Sequence, residues 1–214
     1  MHNLFVALKA DTHHKHSELE STSPFVMFND MTHVDTAAYA NVISVMAQFH
    51  TACFDYLSTA VQSTSSLVNL LTLINEPSIN RALNNDLAAL SVSTLASEDI
   101  KSVTLPQFNS QQSAIIAGIY VWLGSSMGAN IIVRRISQQR VALPVDYYTS
   151  MSQCARNWTV FKQQASSLLT HEHSAVTRIV DDANRWFDYL IRLGKAQASV
   201  HCNDASSAPK PATL

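Results

Sequence analysis

Residues 115–135 read IIAGIYVWLGSSMGANIIVRR and hold three of the chain's four glycines, Gly118, Gly124 and Gly128. The apolar residues are continuous enough for one long helix, yet each glycine inside it costs about 1 kcal/mol relative to alanine. Close approach of another group to the backbone is a cause that would justify them. Gly124 and Gly128 form G-x-x-x-G, which strips side chains from one helix face. Such a face suits either a second transmembrane helix or a large flat ligand lying on the backbone. From Val103 to Val133 there is no Asp, Glu, Lys or Arg, and Arg134-Arg135 follow, so a membrane span is a genuine alternative. Ser125, Ser126 and Asn130 in mid-segment oppose it, as do Gln111 and Gln112 just before. A buried central helix, kinked where glycine adjoins serine, is the favoured reading.

Outside this helix the chain also reads as helical. It has only four glycines and six prolines, and apolar residues recur at three- and four-residue spacing. A first helix is expected over 2–20, and a second from Asp35 or Thr36, with Tyr39, Val42, Ile43, Met46, Phe49, Cys53 and Tyr56 turned inward. Shorter helices fit 64–75 and 78–92, and the glycine helix fits 108–139. A hairpin of 146–169 and 172–193 should end at Gly194. The expected fold class is all-α, a single-domain helical bundle over 1–200, with 201–214 a polar, proline-containing, disordered tail.

The 214 residues are 47% hydrophobic and only 14% charged, so the surface is covered largely by Ser, Thr, Asn, Gln and His. A net charge of -2 argues against nucleic acid, which needs a basic excess. Cys53, Cys154 and Cys202 are odd in number and lack C-x-x-C spacing, which suggests neither a zinc site nor a disulfide framework. With no secretory pattern at the N-terminus, a cytoplasmic location is expected.

The stretch THHKH, residues 12–16, packs three histidines into five positions. On a helical wheel His16 lies within about 80° of Phe5, Leu8, Thr12 and Leu19, the inward stripe, while His14 points away and His13 lies on the flank. His16 is therefore the histidine expected to face the core, either as a hydrogen-bonded core residue or as a ligand for a transition metal or haem iron. Lys9 lies nearly two turns earlier on almost the same face, placed either to hold an acid on a flat ligand or as an ordinary surface lysine. A di-iron site is disfavoured, because D-x-x-H occurs at Asp11 and Asp30 but E-x-x-H nowhere.

Taken in order, these pieces resemble the biliverdin-producing haem oxygenases, in particular the bacterial, phytochrome-associated branch. The family's L-[KR]-x-x-T-x-x-x-H-x-x-L-E is present as Leu8, Lys9, Thr12, His16, Leu19 and Glu20. Its R-x-x-L-x-x-D-L-x-x-L is partly present at Arg81, Asp86, Leu87 and Leu90. Its glycine-helix signature appears as IYVWLGSSMGA, retaining Tyr120, Val121, Gly124, Ser125 and Gly128. Trp158 and Phe161 match W-x-x-F, and Ala183, Phe187 and Leu190 match the final helix.

The resemblance implies haem as both cofactor and substrate, held between the first helix and the glycine helix. His16 would be the axial metal ligand. Lys9, Thr12, Tyr120, Ala129 and Lys162 would contact haem, and Gly124, Ser125 and Gly128 would form the oxygen side. Two departures stand out. Ala129 replaces a glycine, which would crowd the haem, and Ser166 replaces a propionate-binding arginine. The implied reaction consumes O2 and yields biliverdin, carbon monoxide and ferrous iron. The chain has neither a nucleotide-binding glycine fingerprint nor an iron–sulfur cysteine pattern, so electrons would come from an external ferredoxin or flavoprotein reductase. A bacteriophytochrome would use the product. The alternatives are a haem carrier on the same fold and a membrane-associated helical protein.

Overall fold

The computed structural model describes residues 3–30, 35–91, 102–169 and 173–206, and among them every regular element is helical. Asn3 caps α1 (Leu4–Asp11) by accepting from Phe5 N at 3.0 Å. The expected single first helix is instead two. At Thr12 the side-chain hydroxyl donates back to Leu8 O at 2.7 Å, and α2 (His13–Ser21) restarts beyond it.

α3 (Thr36–Ala60) begins where its cap was expected, with Asp35 accepting from Ala37 N and Ala38 N. Its apolar stripe is buried from Tyr39 to Cys53, and Tyr56 is partly buried. The segment expected as a helix over 64–75 is 3-10 turns around a single α-turn, α4 (Val68–Leu71). α5 (Glu76–Ala89) follows, with Pro77 in its first turn.

The glycine helix is α6 (Gln111–Ser137). It runs through the middle of the bundle and packs on α3, on α7 (Asp146–Cys154) and on α9 (His173–Ser206). It is long and apolar enough to cross a membrane, but 56% of its most apolar window is buried within the bundle, as in a core helix. Ser110 and Ser113 form a reciprocal cap at its start. Asp182 of α9, fully buried, fixes that start by accepting from Asn109 N at 3.0 Å and Ser113 Oγ at 2.5 Å.

Gly118 explains itself by packing. A Cβ there would lie 3.0 Å from Trp186 Nε1 and 3.2 Å from Leu57 Cδ2. The Trp186 indole uses that gap to donate to Ala114 O at 3.1 Å.

The expected 146–169 helix is divided, because a 3-10 turn at Ala155–Asn157 separates α7 from α8 (Trp158–Ser167). Asp86 of α5, also fully buried, caps α7 across the bundle by accepting from Asp146 N and Tyr147 N, both at 3.0 Å. Gly194 does not end α9, which continues through Ser206. Its missing side chain instead admits Ser23 O, which would sit 2.9 Å from a Cβ. Of the tail expected beyond 201, residues 207–214 lie outside the described residues.

Candidate functional site

Between α1–α2 on one side and α6 on the other lies a cavity of about 370 Å³, lined by Lys9, Thr12, His13, His16, Leu19, Met46, Phe49, Tyr120, Val121, Gly124, Ser125, Met127, Trp158, Phe187 and Leu190. Its walls are mostly apolar, with a few polar groups at fixed places, and its size is in the range of small-molecule and cofactor sites. At Lys9 and His13 it adjoins a wider, more open groove of about 880 Å³ between α1 and α8, where Lys162, Gln163 and Ser166 also line the wall. Neither Lys9 nor Lys162 takes part in an ion pair among the described residues.

His16 is not a core residue, contrary to the wheel. Its side chain is 55% exposed, and it stands at the cavity with its ring edge-on to Phe187, centroids 6.0 Å apart. The wheel placed it on the right side of the helix but could not tell a packed core from a hollow one. His16 Nδ1 lies 3.5 Å from Glu20 Oε1, one turn on. His13 and His14 are both exposed, and His13 lies on the cavity rim. α2 itself buries no residue.

The opposite wall is the glycine face. A Cβ at Gly124 or at Gly128 would meet nothing within 4 Å, so both positions look onto open space, in contrast to Gly118 in the same helix. Tyr120, one turn before Gly124, reaches across to Thr12, its hydroxyl 3.4 Å from Thr12 Oγ1. Its ring lies beside Trp158, centroids 5.7 Å apart. Burial pushes the Tyr120 phenol up, and the Thr12 contact opposes this. Ser125 Oγ donates to Trp122 O at 2.7 Å.

Ala129 is elsewhere. It is fully buried in the core cluster, about 140° around α6 from Gly124, so its methyl does not crowd the cavity as expected.

A polar cluster that no sequence motif marks lies behind the glycine face. His50 of α3 and Tyr147 of α7 are buried, with His50 Nε2 2.9 Å from the Tyr147 hydroxyl. Burial holds the His50 imidazole neutral, pushed down to about 3, and burial raises the Tyr147 phenol, with Ser125 opposing that rise. The Trp122 ring lies edge-on to His50, centroids 4.0 Å apart. The only sequence signal was a histidine beside Phe49 in an otherwise apolar stretch.

Residues 2–196 match the family described as "Heme oxygenase". Among solved structures, the chain is similar to heme oxygenase-1 from the cyanobacterium Synechocystis in complex with heme, at 18% identity and a TM-score of 0.62. The match covers 97% of this chain and all of that one. No curated protein matches the chain.

Proposed function

This chain belongs to the haem oxygenase family, and we propose that it binds haem in the cavity between α1–α2 and α6 and cleaves it with O2 to biliverdin, carbon monoxide and ferrous iron. One observation carries the reading. Gly124 lines the cavity across from His16 without a side chain, and Gly128, one turn further along α6, also looks onto open space although it is not among the cavity-lining residues, so a flat macrocycle can lie against backbone here. The similar cyanobacterial protein was solved with haem, which supports the same ligand here.

The residues present fit haem in distinct roles. His16, at the cavity with Glu20 Oε1 3.5 Å from its Nδ1, would hold the iron through its imidazole. Lys9, at the junction with the outer groove, and Lys162, on the groove wall, would supply positive charge for the two propionates, and Ser166 offers a hydrogen-bonding group where the family's arginine is replaced. The Thr12–Tyr120 contact closes the cavity floor. On the glycine side Ser125 is the polar group able to hold a water near the reacting edge, while Phe49, Val121, Met127 and Leu190 keep the rest of the pocket apolar. Haem supplies the iron that activates O2 against its own ring. The protein's share is to orient it, shield it from bulk water and present an ordered proton source. Electrons enter from a separate ferredoxin or flavoprotein reductase. The location proposed is cytoplasmic, and a bacteriophytochrome is the proposed user of the biliverdin.

The test is direct. Haem added to the apo protein should give a histidine-ligated spectrum. With reductant and O2 the Soret band should then decay as biliverdin absorbance grows. A stable complex that never forms pigment would overturn the catalytic reading, and absence of binding would overturn the site. Ala129 lies off the cavity wall, so it does not support the alternative of a non-catalytic carrier.

A further inference from the structure

The outer groove between α1 and α8, about 880 Å³, is larger than the cavity it adjoins, and its lining combines two chemistries. Three of the lining side chains are basic, Lys9, His13 and Lys162, and none is acidic. None of the three is paired with a carboxylate among the described residues. The apolar part of the lining includes Phe5, held edge-on by Trp158 and Phe161 with centroids 6.1 and 5.5 Å away. Val6 beside it is 64% exposed, the most exposed large apolar side chain among the described residues. Unpaired cations next to bare apolar surface in a concave site suit an amphipathic anion, whose body covers the apolar area while its acids meet the cations.

The groove is not independent of the cavity. Lys9 and His13 line both, so they mark the passage from one to the other. Under the proposed function, what leaves the cavity is an open-chain tetrapyrrole. Ring opening and loss of iron remove the bond to His16 and the flatness that suits the glycine face, whereas both carboxylates are unchanged. The attraction that survives the reaction is therefore the one to the cations, and these continue into the groove.

We propose that this groove is a second binding site, which receives the open-chain tetrapyrrole dicarboxylate as it leaves the cavity. The identity of the ligand rests on the proposed function; the chemistry of the groove does not. An acidic protein surface would also meet the three cations, but a concave groove that opens into the cavity better fits a small ligand coming out of it.

Biliverdin and haem titrations of the apo chain and two variants test this at physiological ionic strength, where exposed charges more than about 8 Å apart are largely screened and a groove substitution acts locally. Val6→Glu sets an acid in the groove at a residue that does not line the cavity. It should weaken biliverdin about tenfold and haem less than about threefold, because a like charge opposes the carboxylates seated beside it. Gly124→Leu fills the cavity wall and should lose haem, yet bind biliverdin as wild type does. Absence of biliverdin binding in wild type, or its loss in Gly124→Leu, would overturn the proposal by leaving the cavity as the sole site. Equal losses of both ligands in Val6→Glu would overturn it as well. Haem binding that persists in Gly124→Leu and is sensitive to Val6→Glu would make the groove an entry site instead. Slower electron delivery in Val6→Glu with biliverdin affinity unchanged would assign the groove to an acidic protein. A chain that binds biliverdin in the expected pattern but never cleaves haem would sink the proposed function and leave the groove's ligand class standing.

Discussion

Placing leucine at Gly124 and alanine at Gly118 should have opposite effects on the empty protein, although both glycines lie in the same helix six residues apart. A leucine at Gly124 enters open space, since nothing lies within 4 Å of the Cβ position. Replacing glycine there recovers about 0.8 kcal/mol of helix propensity. For a chain of this length that is a rise of about 2–3 °C in Tm. Alanine at Gly118 gains a similar propensity, but its methyl meets Trp186 Nε1 at 3.0 Å and Leu57 Cδ2 at 3.2 Å. Trp186 is fully buried and its indole is tied to Ala114 O, so it cannot move without loosening that bond. Overpacking costs about 1–3 kcal/mol and a weakened hydrogen bond about 1 more. The net expectation is a fall in Tm of several degrees. Thermal melting of the apo proteins reads both, and haem titration reads the second half of the argument: Gly124→Leu should lose haem binding and Gly118→Ala should largely keep it. A Gly124→Leu protein that melts early, or one that binds haem as wild type does, would show that the glycine face is not a ligand surface.

Other outcomes follow from the same geometry. His16→Ala should lose the histidine-ligated haem spectrum while His13→Ala and His14→Ala retain it, and survival of the spectrum in His16→Ala would move the ligand elsewhere. Asp86→Ala removes the acceptor for Asp146 N and Tyr147 N, leaving one part-buried and one buried donor unpaired. It should cost about 2–4 kcal/mol in denaturant unfolding. His50 is depressed to about 3 in the fold against an ordinary 6.5, so between these values the unfolded chain binds the extra proton. Stability from this group is full above pH 6.5 and is lost as pH falls toward 3, at up to about 1.4 kcal/mol per unit. His50→Gln should flatten that slope, and an unchanged slope would assign the acid sensitivity to other groups.

Long helices were legible in the sequence because apolar spacing is a property of the chain itself. The cap at Asp35 and the span of α6 follow from local chemistry. What escaped was set by partners distant in sequence. Gly194 looks like a helix stop, yet no glycine has positive φ, and its role is to let the Ser23 carbonyl approach. The break at Thr12 carries no proline or glycine, only a hydroxyl bonded back to Leu8 O. At the site, His16, Lys9, Gly124 and Ser125 were singled out by type and spacing, and all four line one cavity. Ala129 was misjudged because a motif position does not state its direction on the helix. His50 and Tyr147 were invisible because they meet across 97 residues, and no local pattern marks either.

The cavity's two walls are held by different forces. α6 is buried at the middle of the bundle, whereas α2, which carries His16, has no fully buried residue, only partly buried ones such as Leu19, and is tied to α9 by Lys15–Asp188 at 2.7 Å and Lys195–Glu18 at 3.5 Å. Ion pairs this exposed contribute little singly and weaken with salt. Ionic strength is therefore a handle on one wall alone: raising it should loosen the side that offers the imidazole while the backbone side stays rigid. Ligand capture would then be tuned by the medium without touching the stability of the bundle.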